Sequence, residues 1–395
     1  MKKIAILFII FALSGILTGS VFAQEEAFED TSVEESAVVD DLIASVEQPT
    51  WTGFEKARVI GLETKSQAVE FEGGERVETY REIKLEVLSG GHKGEQFAFA
   101  DSPETNPLKK DVRVGQKLLV YVEDFEDGAA RVSIDSFYRV PELLLLVLVF
   151  LLLLLVLGGW RKGLKTILSL MLALILIFKV LVPAILAGWS AINITMIIAA
   201  LVTFITLALI GGMNKKSYAA MLGTIAGVLV AFLFSYIFTE LANLVGLSTE
   251  ENRLLAGQNP DLNAKYIFLS AILIGALGAA MDVAISIASS ISEVKSANQL
   301  AGFKKLFKSG INVGRDIIGT MSNTLIFAYV GAALPTVLLF HQLGQSYFKF
   351  LNFDFIADEV VRSIGGSIGL VAVIPITAFI ASYFFSLESG KKQGR

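Results

Sequence analysis

Few side chains in this sequence could do chemistry inside a membrane, and most of them fall in two apolar stretches. The first, YIFLSAILIGALGAAMDVAISIASSI, sets Asp282 well inside an otherwise uncharged run. Taking an ionisable group to that depth costs about 2.5–3.5 kcal/mol, so it ordinarily faces a protein interior or a watery cavity and marks an ion path, a proton relay or a ligand site. The second stretch, DIIGTMSNTLIFAYVGAALPTVLLF, brings Thr320, Ser322, Asn323 and Thr324 into the membrane beside Gly319 and Gly331. At helical spacing Gly275, Gly278, Asp282, Ser286, Ser289 and Glu293 share one face of the first helix, and Asp316, Thr320, Asn323, Phe327 and Gly331 share one face of the second. At 1.5 Å per residue Asp282 lies about 13 Å and Asn323 about 9 Å from the cytoplasmic ends of their helices, so the two fall at similar depth. The expected site is therefore Asp282 as a charged binding or protonatable group, with Ser286, Thr320, Asn323 and Thr324 supplying ligand oxygens or hydrogen bonds. A purely structural reading pairs Asp282 with Arg315, or bonds it to Asn323 and Thr320.

Other polar groups invite simpler readings. Lys179 and Glu240 sit at similar depth in their spans, where they form a buried ion pair or snorkel separately to the interface. Gly275, Gly278, Gly319 and Gly331 are expected to let helices pack closely, as are Gly223 and Gly227 in their small-xxx-small spacing. Pro183, Pro335 and Pro375 are expected to kink their helices. There is no cysteine, and the only histidines are His92 and His341. That rules out thiolate chemistry and a histidine-rich metal centre. His92, in the turn GGHKG, reads as a solvated loop residue. No Walker A or Rossmann fingerprint appears, no serine elbow accompanies His341, and Asp282 has no second carboxylate at its depth. Neither an enzyme nor a cofactor is expected.

The elements that must position these groups follow from composition. Of 395 residues 54% are hydrophobic and 18% charged, with a net charge of −5. Long apolar runs predict a multi-pass α-helical bundle with spans near 142–159, 164–187, 193–212, 218–246, 266–291, 317–343 and 364–387. The first, almost pure leucine and valine, reads as a lipid-facing connector. If the region before it lies outside, the inner loops hold thirteen basic residues (Arg161, Lys162, Lys165, Lys215, Lys216, Lys295, Lys304, Lys305, Lys308, Arg315, Lys391, Lys392 and Arg395) and the outer loops four (Arg253, Lys265, Lys349 and Arg362). That bias marks the cytoplasmic side. In the longest inner loop Leu300, Phe303, Leu306, Phe307 and Ile311 alternate with lysines, which predicts a short amphipathic helix on the inner leaflet.

Ahead of the spans, residues 1–23 have the basic start, apolar run and VFA ending of a signal peptide. Residues 24–50 are acidic and read as a disordered tether. Residues 51–140 switch to period-two patterning broken by Gly-Gly, Asn-Pro and Asp-Gly turns, which predicts five or six short strands in a small extracytoplasmic, OB-like β-barrel domain. Its mixed charge argues against nucleic acid. Residues 141–388 form the membrane domain and 389–395 a cytoplasmic tail. The expected partners are the lipid bilayer and an unknown small solute or ion, with a separate protein subunit or homo-oligomer left open. The expected place is the bacterial cell membrane.

The motifs GALGAAMDVAISIASSI (275–291) and GRDIIGTMSNTLIFAYVG (314–331), supported by EVLSGGHKGE and SFYRVPELL, resemble the YibE/F family of bacterial membrane proteins. The resemblance runs from about residue 55 to the seventh span, departing mainly in the acidic tether and the tail. It implies a multi-pass protein with an extracytoplasmic β region and leaves activity open. On that basis transport by a permease or channel-like mechanism is one expectation. The other is a non-transporting receptor or assembly module whose β domain captures a partner.

Overall fold

A computed structural model describes residues 49–71, 74–101, 112–126 and 128–393. The expected signal peptide and nearly all of the acidic tether lie outside the described residues. The chain divides into two compact units, parted near residue 151.

The first unit is a five-stranded antiparallel sheet: β1 (Trp51–Phe71), β2 (Gly74–Val87), β3 (Gln96–Asp101), β4 (Lys117–Asp124) and β5 (Ala130–Phe137), in the order β3-β2-β1-β4-β5. Alternation dictates its core, because period-two side chains fall on one face. Ala57 and Val59, Ile83 and Leu85, Leu118, Val120 and Val122, and Ile134 all point inward. The opposite face carries cross-strand ion pairs, Lys65 with Glu82 and Lys84 with Glu63, and the Lys84 ammonium holds the Glu63 carboxyl below its ordinary range. β1 is longer than the short strands that turn residues predicted, pairing with β2 along most of its length and with β4 over its first half. The edge strands β3 and β5 approach one another, and among the described residues no hydrogen-bonded ladder joins them. Among the described residues the unit is thus a five-stranded antiparallel sheet.

Among the described residues seven helices are long and apolar enough to cross a membrane: α1 (Val140–Leu157), α2 (Trp160–Leu186), α3 (Ala191–Gly211), α4 (Lys215–Leu241), α6 (Ala264–Ala297), α7 (Phe303–Gln342) and α9 (Asp354–Gln393, apolar to Leu387). Two short helices, α5 (Glu250–Gln258) and α8 (Tyr347–Leu351), sit in connections. Side chains of Asn214, Thr249, Asn263 and Ser346 accept a backbone N–H in the first turns of α4, α5, α6 and α8 and so fix where those helices begin. In α2 a π-helical turn at Ile177–Leu181 leads straight into Pro183, as expected where a residue without an N–H interrupts the ladder. No residue of α1 is buried.

α6 is the hub, packed against α3, α4, α7 and α9. Over half of its apolar window, 56%, is buried, against 11% in α7. The tightest seam joins α4 and α9, which run antiparallel in constant register. Gly223 faces Thr377, Gly227 faces Val373, Ala231 faces Gly369 and Ser235 faces Gly365. Small residues four apart bring two backbones together where apolar side chains would hold them apart.

One expectation needs correction. The amphipathic segment after span five is not a separate helix on the membrane surface. It is the first third of α7, continuous with span six, and only Asn298–Gly302 separates it from α6. Phe303 stacks on Phe307 and meets Phe379 edge-on, Leu306 is fully buried, and Gly310 and Gly314 press against Ala378 and Ile374 of α9. The apolar face that suits a lipid surface is taken by α9 instead. Lys295, 7% exposed, closes the connection by donating to the Gln299 and Ala301 carbonyls at 2.8 and 3.0 Å.

Candidate functional site

Helical period settles where the polar residues of α6 point. Val283, Ala284, Ile287 and Ala288 fill the core, which leaves Gly275, Gly278, Asp282, Ser286 and Glu293 as an exposed line down the most buried helix of the bundle. Ser286 Oγ donates to its own helix at the Asp282 carbonyl (2.7 Å). On α7, Thr320, Asn323 and Thr324 are exposed, with the threonine hydroxyls donating to the carbonyls of Ile317 (3.0 Å) and Thr320 (2.9 Å). Two contacts pin the antiparallel register of these helices: Gly275 against the Tyr329 hydroxyl and Ile291 against Gly310. Counting along both helices from the first contact sets Asp282 level with Ser322, and from the second level with Gly319. Asp282 therefore lies level with the Gly319–Ser322 segment of α7. Among the described residues no hydrogen bond joins them across the helices.

The glycines and the deeper charges depart from expectation. Of the four glycines assigned to packing, only Gly275 meets a neighbour; Gly278, Gly319 and Gly331 open onto free space. The close approaches fall instead on α9, through Gly223, Gly227, Gly310, Gly314, Gly365 and Gly369. Lys179 and Glu240 are both exposed, and Glu240 pairs at 3.0 Å with Lys265, the second residue of α6. A buried Lys179–Glu240 pair is not what the fold builds, since each side chain lies on an outer face of its helix.

A second polar cluster lies at the end of the bundle where α6 and α9 begin. α9 starts at Asp354, ten residues before the expected span, so residues read as loop occupy its first two turns. Asp358, 2% exposed, accepts a hydrogen bond from Ser248 (2.5 Å). Glu359 Oε1 meets Arg362 Nη1 at 3.3 Å, and the Arg362 guanidinium lies over the Phe268 ring of α6, 5.3 Å from its centroid. Among the described residues the buried Glu359 Oε2 and Arg362 Nε have no hydrogen-bond partner, nor have the buried hydroxyls of Ser235, Thr239, Ser270, Ser322 and Ser367. The signal for this cluster was the acid–arginine spacing at 359 and 362 followed by Ser363, Gly366 and Ser367 at helical intervals.

The sheet unit holds a third cluster. Period two puts Glu55 on the inner face beside Ala57 and Val59, and it is 2% exposed. Glu55 Oε1 accepts the Gly91 N–H at 2.8 Å, while Oε2 is buried with no partner among the described residues. Gly90, at φ +83°, leaves the room that this carboxylate occupies. His92 is not a solvated loop residue. Its Nε2 lies 2.9 Å from Asp124 Oδ1 and its Nδ1 3.5 Å from Glu55 Oε1, with the Trp51 and Phe97 rings on either side. The two nitrogens face different carboxylates, so the three groups do not converge on one point. Among the described residues no group of three such side chains is arranged to hold a metal ion.

No curated protein and no solved structure matches the chain. The family model described as YibE/F-like protein matches residues 146–387, from within α1 to the end of the apolar part of α9. That span takes in nearly all of the helical bundle and more than half of the sequence, and the chain belongs to the YibE/F-like family.

Proposed function

We propose that this membrane protein is a permease or channel-like transporter of a small solute or ion, with Asp282 as its charged or protonatable group and Ser286, Thr320, Asn323 and Thr324 beside it. One observation carries the reading. The only ionisable residue in the middle of α6 lies on the one face of that helix not taken up by the core, level with the polar segment of α7. A carboxylate at that depth is costly against acyl chains, so water or a solute must reach it, or a second copy must cover it. In this reading the protein sits in the bacterial cell membrane, with the sheet unit outside and the basic loops inside. Untargeted comparison of solute contents in cells with and without the gene identifies the solute. Asp282→Asn is expected to abolish that difference at unchanged membrane level. Solute contents unaffected by Asp282→Asn sink the proposal.

The Glu55–His92–Asp124 cluster favours a second reading, a receptor or assembly module. A buried carboxylate with one unpaired oxygen, beside an exposed Trp51, is more than a small sheet needs for stability. Deleting residues 24–140 separates the two: a transporter keeps some flux, whereas a receptor loses its partner.

A further inference from the structure

We infer that the Glu359–Arg362 pair on α9 is a binding site for a small oxyanion, a carboxylate or phosphate, which enters together with one proton. An arginine stays charged at any working pH and presents a planar fork whose Nε and Nη edge fits two oxygens at once. Here the fork is used at one corner, Nη1 to Glu359 Oε1 at 3.3 Å, longer than the 2.7–2.9 Å usual for a charge-assisted bond. Nε and Glu359 Oε2 are left buried and unpaired. A pair serving only the fold would close both, because each buried polar atom without a partner is destabilising.

Charge decides the ligand. A metal cation would be repelled by Arg362. An anion on the Nε edge displaces Glu359 from the guanidinium, and that carboxylate is then left in a poorly solvated place beside Asp358. Taking up a proton at Glu359 removes the penalty. The empty site holds Glu359 as carboxylate and Arg362 as cation; the loaded site holds Glu359 as acid, Arg362 as cation and the anion. Both states are neutral, so one proton accompanies one anion. The remaining groups fit this scheme. Asp358 is bonded to Ser248, Asp354 lies at the exposed helix start, and α6 packs the Phe268 ring against the guanidinium. Glu240 of α4 is engaged with Lys265.

The site is independent of Asp282 and is tested without flux. Purified full-length protein in weakly buffered detergent near pH 6 is titrated with acetate, inorganic phosphate or chloride, following heat of binding and proton uptake together. Acetate or phosphate should bind with about one proton taken up per anion, and affinity should fall up to tenfold per pH unit as pH rises, the limit for one linked proton. Glu359→Gln should bind the anion with no proton uptake and no pH dependence, whereas Arg362→Gln should not bind. The double variant Glu359→Gln with Arg362→Gln, neutral and folded by gel filtration and thermal unfolding, should also fail to bind. Absence of binding by folded wild-type protein overturns the assignment. So do proton uptake that survives Glu359→Gln, a response to chloride alone, and a response to phosphatidylglycerol with none to soluble anions.

Discussion

Along the α4–α9 seam the glycines at 223, 227, 365 and 369 each meet an atom of the opposite helix, whereas Gly278, Gly319 and Gly331 on α6 and α7 open onto free space. Both regions carry glycines and hydroxyl residues at helical spacing, and both read alike in the sequence. They differ in what lies opposite. In the seam, Gly227 receives Val373 and Gly369 receives Ala231, so two backbones share one narrow space. On the α6–α7 face the same residue types leave room around Asp282. Small residues in a membrane helix therefore do two separate things, bringing a neighbour in or keeping a face clear, and only the register of the opposing helix tells which.

The largest expected effect breaks the seam. A Cβ at Gly227 would already overlap Val373, and one at Gly369 would come 2.8 Å from the Gly227 carbonyl, which is backbone and cannot turn aside. Gly227→Leu should therefore destabilise the bundle beyond the 1–3 kcal/mol typical (~) of overpacking and lower or abolish the yield of monodisperse protein in detergent. Unfolding at the wild-type temperature would show that α4 and α9 are not held by this register.

A middling effect is expected where α6 ends. Lys295 and Asp282 are charges on one helix in opposite situations, the first buried with two carbonyls satisfied, the second exposed. Lys295→Met removes both of the Lys295 bonds and leaves the Gln299 and Ala301 carbonyls short of a donor, a loss of about 1.5–3 kcal/mol. It should lower the unfolding temperature and open the 298–302 connection to protease. Asp282→Asn should change neither, and equal sensitivity in the two variants would mean that Asp282 is as deeply engaged as Lys295.

Much of the bundle was legible because its signals are local. Apolar runs gave the seven helices, Gly223 and Gly227 announced a seam, Pro183 marked a break in the regularity of α2, and most of the stripe through Asp282 is the exposed line of α6. What escaped depends on partners distant in sequence. Glu359 and Arg362 look like loop charges until Phe268, far away in the chain, packs against the guanidinium. Phe303, Leu306 and Phe307 form a lipid-facing pattern unless α9 is known to cover it. Glu55 is one charge in a period-two run, and only the turn at Gly90–His92 gives it a reason to be buried. Lys179 and Glu240 match in depth, but depth says nothing of azimuth, and azimuth turns each to an outer face.

The smallest expected effect sharpens the contrast from the open side. Nothing lies within 4 Å of where a Cβ would stand at Gly278, and the helix runs unbroken through it. Gly278→Ala removes backbone freedom from the unfolded chain and adds a better helix former, so it should stabilise by about 0.5–1 kcal/mol, a rise of a degree or two in unfolding temperature. The sign is what matters. Destabilisation there, or a change in apparent size on gel filtration, would mean that another surface presses on this face in the native assembly. The room beside Asp282 would then be a contact between copies rather than a way in for a solute.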